Sequence, residues 1–232
     1  MSRTRFSKGV ATAYTGEQAL SQFPYPDPAK CSILFNDFHT YAAGDWTTTD
    51  ADSGSVALAA GDGGVLLLTT GATSADSSVI TPVTAGFNPV AGYEMWFETR
   101  VALSDATNSA LFAGLINLIT TPFTGGNITD GFYFTKASGS TALGFNAIGS
   151  SVALTGLTSI ATMANATFIT LGVWVDTLGN INVYVNDNKV GTIAAAGGFP
   201  AVALAVTLGV KTGGSAAKTL SVDYILASKF RQ

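Results

Sequence analysis

From residue 31 onward, apolar and polar positions alternate with a period of two, the spacing that sends successive side chains to opposite faces of a strand. In "YEMWFETRVAL" (93–103), Tyr93, Met95, Phe97, Val101 and Leu103 fall on one side and Glu94, Trp96, Glu98 and Arg100 on the other. In "AVALAVTLGVK" (201–211), Val202, Leu204, Val206, Leu208 and Val210 face one way, opposite small residues. "TLSVDYILA" (219–227) sets Leu220, Val222, Tyr224 and Leu226 against Ser221, Asp223 and Ile225. Further strands are expected at 64–69, 77–81, 110–118, 131–136, 142–148, 152–155, 168–176, 181–186 and 189–194, nearly all bounded by Gly, Asn or Asp. No segment offers a long amphipathic helix, and "TSIATMANA" (158–166) is expected as a loop or a single helical turn. About twelve short strands with turn signals between them predict an all-β chain of two antiparallel sheets packed face to face.

One hairpin carries chemistry as well as structure. "VWVDTLGNINVYVND" (173–187) places Val173, Val175, Ile181, Val183 and Val185 on one face and Trp174, Asp176, Asn182, Tyr184 and Asn186 on the other. The second face holds the aromatic and amide types that stack on sugars and bond their hydroxyls. The wet side of any sheet carries the same types, and aromatic cross-strand pairs stabilise a sheet by about 0.2–1 kcal/mol whatever its function. The sequence alone leaves both readings open.

Residues 1–30 break the pattern. Pro24, Pro26 and Pro28 alternate there, and each fixes its own φ and disfavours helix in the residue before it, so an extended arm is expected ahead of a sandwich at 31–232. The arm sets Arg3, Arg5, Lys8 and Lys30 against Glu17 and Asp27, whereas 31–228 holds five basic and thirteen acidic residues. A basic arm on an acidic body suits docking on an acidic neighbour and argues against nucleic acid, whose phosphates the body would repel. Charged residues make up only 11% of the chain, against about 25% in ordinary soluble domains. A charge-poor surface suits packing against copies of itself, because each buried charge costs desolvation. No apolar run reaches the ~18 residues of a membrane span, and no apolar segment follows the N-terminal basic residues, so neither a membrane partner nor a secretory signal is expected.

Candidate chemistry is thin along the chain. Glu94 and Glu98 are the one carboxylate pair on a strand, but four residues of regular strand span about 13 Å. Glycoside hydrolysis uses carboxyls about 5–5.5 Å or 6.5–9.5 Å apart, so no catalytic residue is assigned and a non-enzymatic chain is expected. His39 is the single histidine, without a G-x-S-x-G elbow to serve, and is expected as a packed or hydrogen-bonded residue at a sheet edge. Asp176, Asn180 and the run Asn186 to Asn188 carry oxygens of the kind calcium takes, yet fit turns better; no metal and no cofactor is assigned. Cys31 stands alone, which excludes an intramolecular disulfide, and is expected to be buried.

The order of motifs from 92 to 228 resembles the concanavalin A-like jelly roll of legume-type lectins, laminin G-like domains and bacterial glucanases. The residues that carry it are "YEMWFETRVALSD", "LFAGLIN", "DGFYFTKASGSTALGFNA", "TFITLGVWVDTLGNINVYVNDNKVG" and "KTLSVDYILASK". Where the glucanases of that fold keep a middle acid between their paired carboxylates, this chain has Trp96. More narrowly, the string is similar to virion structural proteins of this fold in tailed bacteriophages, capsid-decorating subunits among them. That resemblance implies a decoration or cement subunit, made in the host cytoplasm and located in the virion. It would sit on the major capsid protein of a phage shell through Arg3, Arg5, Phe6, Tyr14, Phe23 and Tyr25 of the arm, as a homo-oligomer, trimer or dimer. The alternative is a carbohydrate-binding module or tail-fibre adhesin that contacts host glycans through Trp174, Asp176, Asn182, Tyr184 and Asn186.

Overall fold

The computed structural model describes residues 30–61, 63–123, 127–154, 156–194 and 199–231. The first eight strands are β1 (Cys31–Asn36), β2 (Trp46–Asp50), β3 (Ser55–Ala59), β4 (Val65–Thr69), β5 (Ser77–Pro82), β6 (Met95–Leu103), β7 (Ser109–Asn117) and β8 (Gly131–Lys136). The second eight are β9 (Ala142–Gly149), β10 (Val152–Ala153), β11 (Leu157–Thr162), β12 (Ile169–Val175), β13 (Ile181–Val185), β14 (Asn188–Ile193), β15 (Leu204–Thr212) and β16 (Thr219–Phe230). They form two sheets of eight. The first runs β14-β13-β12-β6-β16-β4-β3, with β1 also on β16; the second runs β10-β9-β8-β7-β15-β5-β2, with β11 also on β9.

The inward face of each sheet is the apolar half of the alternation. Phe97, Val101, Leu171, Val173, Ile181 and Val183 of the first sheet pack with Leu111, Leu115, Phe132, Phe134, Phe145 and Leu208 of the second, all buried in one cluster. Phe134 and Phe145 meet edge to face with ring centroids 4.9 Å apart, a geometry that adds to their area burial. One buried cation sits at the margin of the second sheet. The Lys136 ammonium is only 2% exposed and donates to the carbonyls of Ser109, Ala137 and Ser140, tying the start of β7 to the β8–β9 turn.

Strand β16 departs from simple alternation. One edge pairs with β6 from Leu220 to Lys229, while the other is shared by β4 at Thr219–Val222 and β1 at Ile225–Phe230. A register shift between Val222 and Tyr224 puts a bulge at Asp223. The extra residue reverses which side chains face inward. Leu220 and Val222 are buried before it, Ile225 and Ala227 after it, and Tyr224 and Leu226 turn outward. Unbroken alternation had grouped Tyr224 and Leu226 with the core and Ile225 with the surface, so those three assignments are corrected.

Other expectations meet mixed outcomes. Residues 157–162 form β11 on β9, not a loop or helical turn. β1, β2 and β3 were not anticipated. β3 is a partly exposed edge strand with burial that does not alternate, and β1 hides its pattern in a short run of apolar residues. Val202 lies outside β15 and is 42% exposed. Cys31 is buried, in register with Phe230. His39 is exposed rather than packed, with Nε2 3.4 Å from Asp37 Oδ2. The arm residues Arg3, Arg5, Phe6, Tyr14, Phe23 and Tyr25 lie outside the described residues.

Candidate functional site

On the outer face of the first sheet, the registers of β16, β6, β12 and β13 set side chains in rows. One row runs Ser228, Trp96, Trp174, Asn182. The next runs Leu226, Glu98, Gly172, Tyr184. Gly172 contributes no side chain to its row, so a gap opens between Glu98 and Tyr184. A Cβ built there would lie 3.4 Å from Tyr184 Cβ and 3.7 Å from Glu98 Oε2. The gap belongs to a cleft of about 420 Å³ whose walls include Trp96, Trp174, Tyr184, Glu98, Asp187 and Ser228. That volume, with aromatic walls and a few polar groups, is typical of sites for small molecules.

The polar groups are arranged asymmetrically. At one end Glu98 Oε1 accepts a hydrogen bond from Tyr224 Oη at 2.6 Å. Burial, followed by that bond to a carboxylate, holds the Tyr224 phenol well above its ordinary pKa, and the Asp187 charge adds to the effect. Tyr224 therefore stays protonated and fixes Glu98 by donation. At the other end Phe230 braces Trp96 edge to face, with centroids 5.3 Å apart. There, Trp174 Nε1 and Ser228 Oγ are buried with no hydrogen-bond partner. Leaving a buried donor unmet costs about 1–3 kcal/mol, so native proteins seldom do so without a reason.

The hairpin residues divide. Trp174 and Tyr184 line the cleft, as diagonal neighbours across β12 and β13. Asn182 is buried among its own partners, donating to the Trp174 carbonyl at 3.3 Å and accepting from Thr192 Oγ1 at 3.1 Å. Asp176 Oδ1 accepts from the Leu178 and Asn180 amides, both at 2.9 Å, and so holds the β12–β13 turn. Asn186 Oδ1 accepts from the Thr170 amide at 2.9 Å. These three are structural in the places they occupy. Trp96, Glu98, Ser228 and Asp187 in the cleft wall, with Tyr224 bonded to Glu98, are joined by no local signal in the sequence. Alternation does put Trp96 and Glu98 outward, and the glycine within "ITLGVWV" is the local sign of a position without a side chain on the sheet.

No protein-family pattern and no curated protein matches this sequence. Solved structures do share its fold. An endo-1,3-β-glucanase from Streptomyces sioyaensis superposes with a TM-score of 0.65 at 15% identity, over 90% of this chain and 99% of that one. An endo-β-1,4-glucuronan lyase from Trichoderma reesei gives 0.61 at 13% identity, over 84% and 94%. The carbohydrate recognition domain of Emp47p gives 0.61 at 10% identity, over 89% and 99%. The chain is thus an all-β, concanavalin A-like jelly-roll sandwich, the fold expected from its motifs.

The expectation of a non-enzymatic chain is overturned by the same comparisons. The solved structures that share this fold are mostly glucanases, hydrolases and a lyase, at 13–15% identity, so the fold is one that carries such chemistry. The sequence argument considered only carboxylates along a single strand. The cleft wall holds one carboxylate from β6, Glu98, and one from the β13–β14 turn, Asp187.

Proposed function

We propose that this protein binds a carbohydrate chain in the cleft on the outer face of its first sheet. The observation that carries the reading is a cleft of about 420 Å³ walled by the aromatic side chains of Trp96, Trp174 and Tyr184, with Glu98 and Asp187 in the same wall. Aromatic faces accept the apolar faces of sugar rings, while Glu98 and Asp187 accept hydrogen bonds from hydroxyls. The names of the solved structures that share the fold lend support, since they include enzymes acting on polysaccharides and a carbohydrate recognition domain.

Titration calorimetry against soluble β-glucans tests it. Trp174→Ala and Tyr184→Ala are each expected to weaken binding by about 10- to 30-fold, the usual loss on truncating an aromatic anchor, with thermal melting little changed. The same mixtures are assayed for new chain ends, which would reveal cleavage. Unaltered affinity in both variants would reject the cleft as the binding site.

A second reading, a subunit held on a phage shell, draws on the basic, proline-rich segment 1–30 ahead of an acidic body. In this proposal the arm contacts the major capsid protein and the sandwich assembles as a trimer or dimer in the virion. Deleting residues 1–29 is expected to abolish co-sedimentation with shells while the sandwich stays folded; undiminished co-sedimentation rejects it.

A further inference from the structure

We infer that the cleft selects uncharged glycan chains over polyuronates, and that Glu98 and Asp187 set this selectivity. The inference rests on the carbohydrate-binding reading above and names its substrate class. The fold does not decide the matter, since both a glucanase and a glucuronan lyase share it.

The charges around the cleft do decide it. The charged side chains in its walls are Glu98 and Asp187, both acidic, and no lysine or arginine is among the described lining residues. Glu98 is held by the neutral Tyr224 hydroxyl, and among the described residues neither acid makes an ion pair. Nearby cations are committed elsewhere or outside the cleft. Arg100, next outward-facing along β6, donates to Asp223 Oδ2 at 2.6 Å and lies 4.4 Å over the Phe168 ring. Lys229 donates to the Asn88 carbonyl at 2.7 Å. Lys189 is exposed on β14, in register with Tyr184 but not in the cleft wall.

A uronate carboxylate entering this site would lose water and meet two like charges, with no cation among the described lining residues to compensate. The acidic body adds long-range repulsion of a polyanion. The unmet groups at the far end, an indole N–H and a hydroxyl, are neutral. The described lining residues offer none of the charge-assisted donors with which proteins usually hold a carboxylate. The selectivity is therefore built by repulsion as much as by fit.

The experiment compares two ligands that differ only at C6: a β-1,3-gluco-oligosaccharide and the same chain with its C6 hydroxymethyl groups oxidised to carboxylates. Calorimetry on the full chain at low salt is expected to show the neutral chain binding at least about tenfold more tightly, with the gap shrinking at higher salt as the charges are screened. Glu98→Gln with Asp187→Asn is expected to strengthen binding of the oxidised chain about tenfold. Asp187→Asn alone, on an exposed turn, is expected to give part of that gain without any risk to the sheet. Equal or tighter binding of the oxidised chain by the unaltered protein overturns the inference and leaves glycan binding standing. A gap that persists unchanged in the variants also overturns it, by removing Glu98 and Asp187 as its cause. Binding of neither chain removes the carbohydrate reading itself and this inference with it.

Discussion

Gly172→Leu is expected to abolish glycan binding while leaving the fold intact or slightly firmer. Gly172 lies mid-strand in β12, between Glu98 on one side and Tyr184 on the other. Its Cβ would make ordinary contacts at 3.4 and 3.7 Å, so nothing need move to admit the first carbon. The rest of the leucine would stand in the cleft where a sugar ring must sit. Glycine in a strand interior is itself unfavourable by about 0.5–1 kcal/mol, which the substitution would recover. Affinity for β-glucan is expected to fall at least about 100-fold, or roughly 2.7 kcal/mol, with the melting temperature unchanged or raised. Calorimetry and thermal melting read the two effects separately. Retained affinity would move the ligand out of this cleft. Gly114 marks the contrast: a Cβ there would stand 2.4 Å from the Phe132 carbonyl oxygen and 2.5 Å from Tyr133 Cα. That glycine is required by the approach of β8, and replacing it strains backbone.

What was legible in the sequence follows the range of the interactions involved. The hairpin at 173–187 could be read because its faces and turn are set by neighbours in the chain. Val173, Val175, Ile181, Val183 and Val185 are all buried, and Gly179 takes the positive φ of +82° that its turn needs. The cleft could not be read because its rows join strands far apart in sequence. Glu98 meets Gly172, and Trp96 meets both Trp174 and Ser228, only through the order β13-β12-β6-β16. Tyr224 was hidden by one residue. The bulge at Asp223 flips every side chain after it, and no periodicity argument anticipates an insertion of one. Asp187 was read as a turn residue, and it is one, with φ of +63°. The same turn also places it in the cleft wall beside Tyr184. A residue type common in turns for conformational reasons gives no signal of a second role.

The buried lysine gives the other large effect, on stability and its dependence on pH. Lys136→Met is expected to destabilise the protein by about 2–4 kcal/mol at neutral pH, because the carbonyls of Ser109, Ala137 and Ser140 all lose their shared donor. For a chain of this size that corresponds to a melting point lower by roughly 5–15 °C. The ammonium is nonetheless held at a cost. Burial pulls its pKa down from 10.5 to about 8, with the Asp105 carboxylate pulling weakly the other way. Between those values the unfolded chain binds the proton and the folded chain does not, so folding becomes more favourable as pH rises from about 8. The gain would reach about 3 kcal/mol at most if the full shift were expressed. The window closes near pH 10, where Tyr133 and Tyr224, both held above their ordinary value in the fold chiefly by burial, begin to ionise in the unfolded chain and reverse the slope. Melting curves should therefore climb for the unaltered protein between about pH 8 and 10 and run flatter for Lys136→Met, so that the gap between the two widens. Parallel curves would show that the Lys136 proton is shared equally by the folded and unfolded states, with the three carbonyls stabilising the charge as fully as water does.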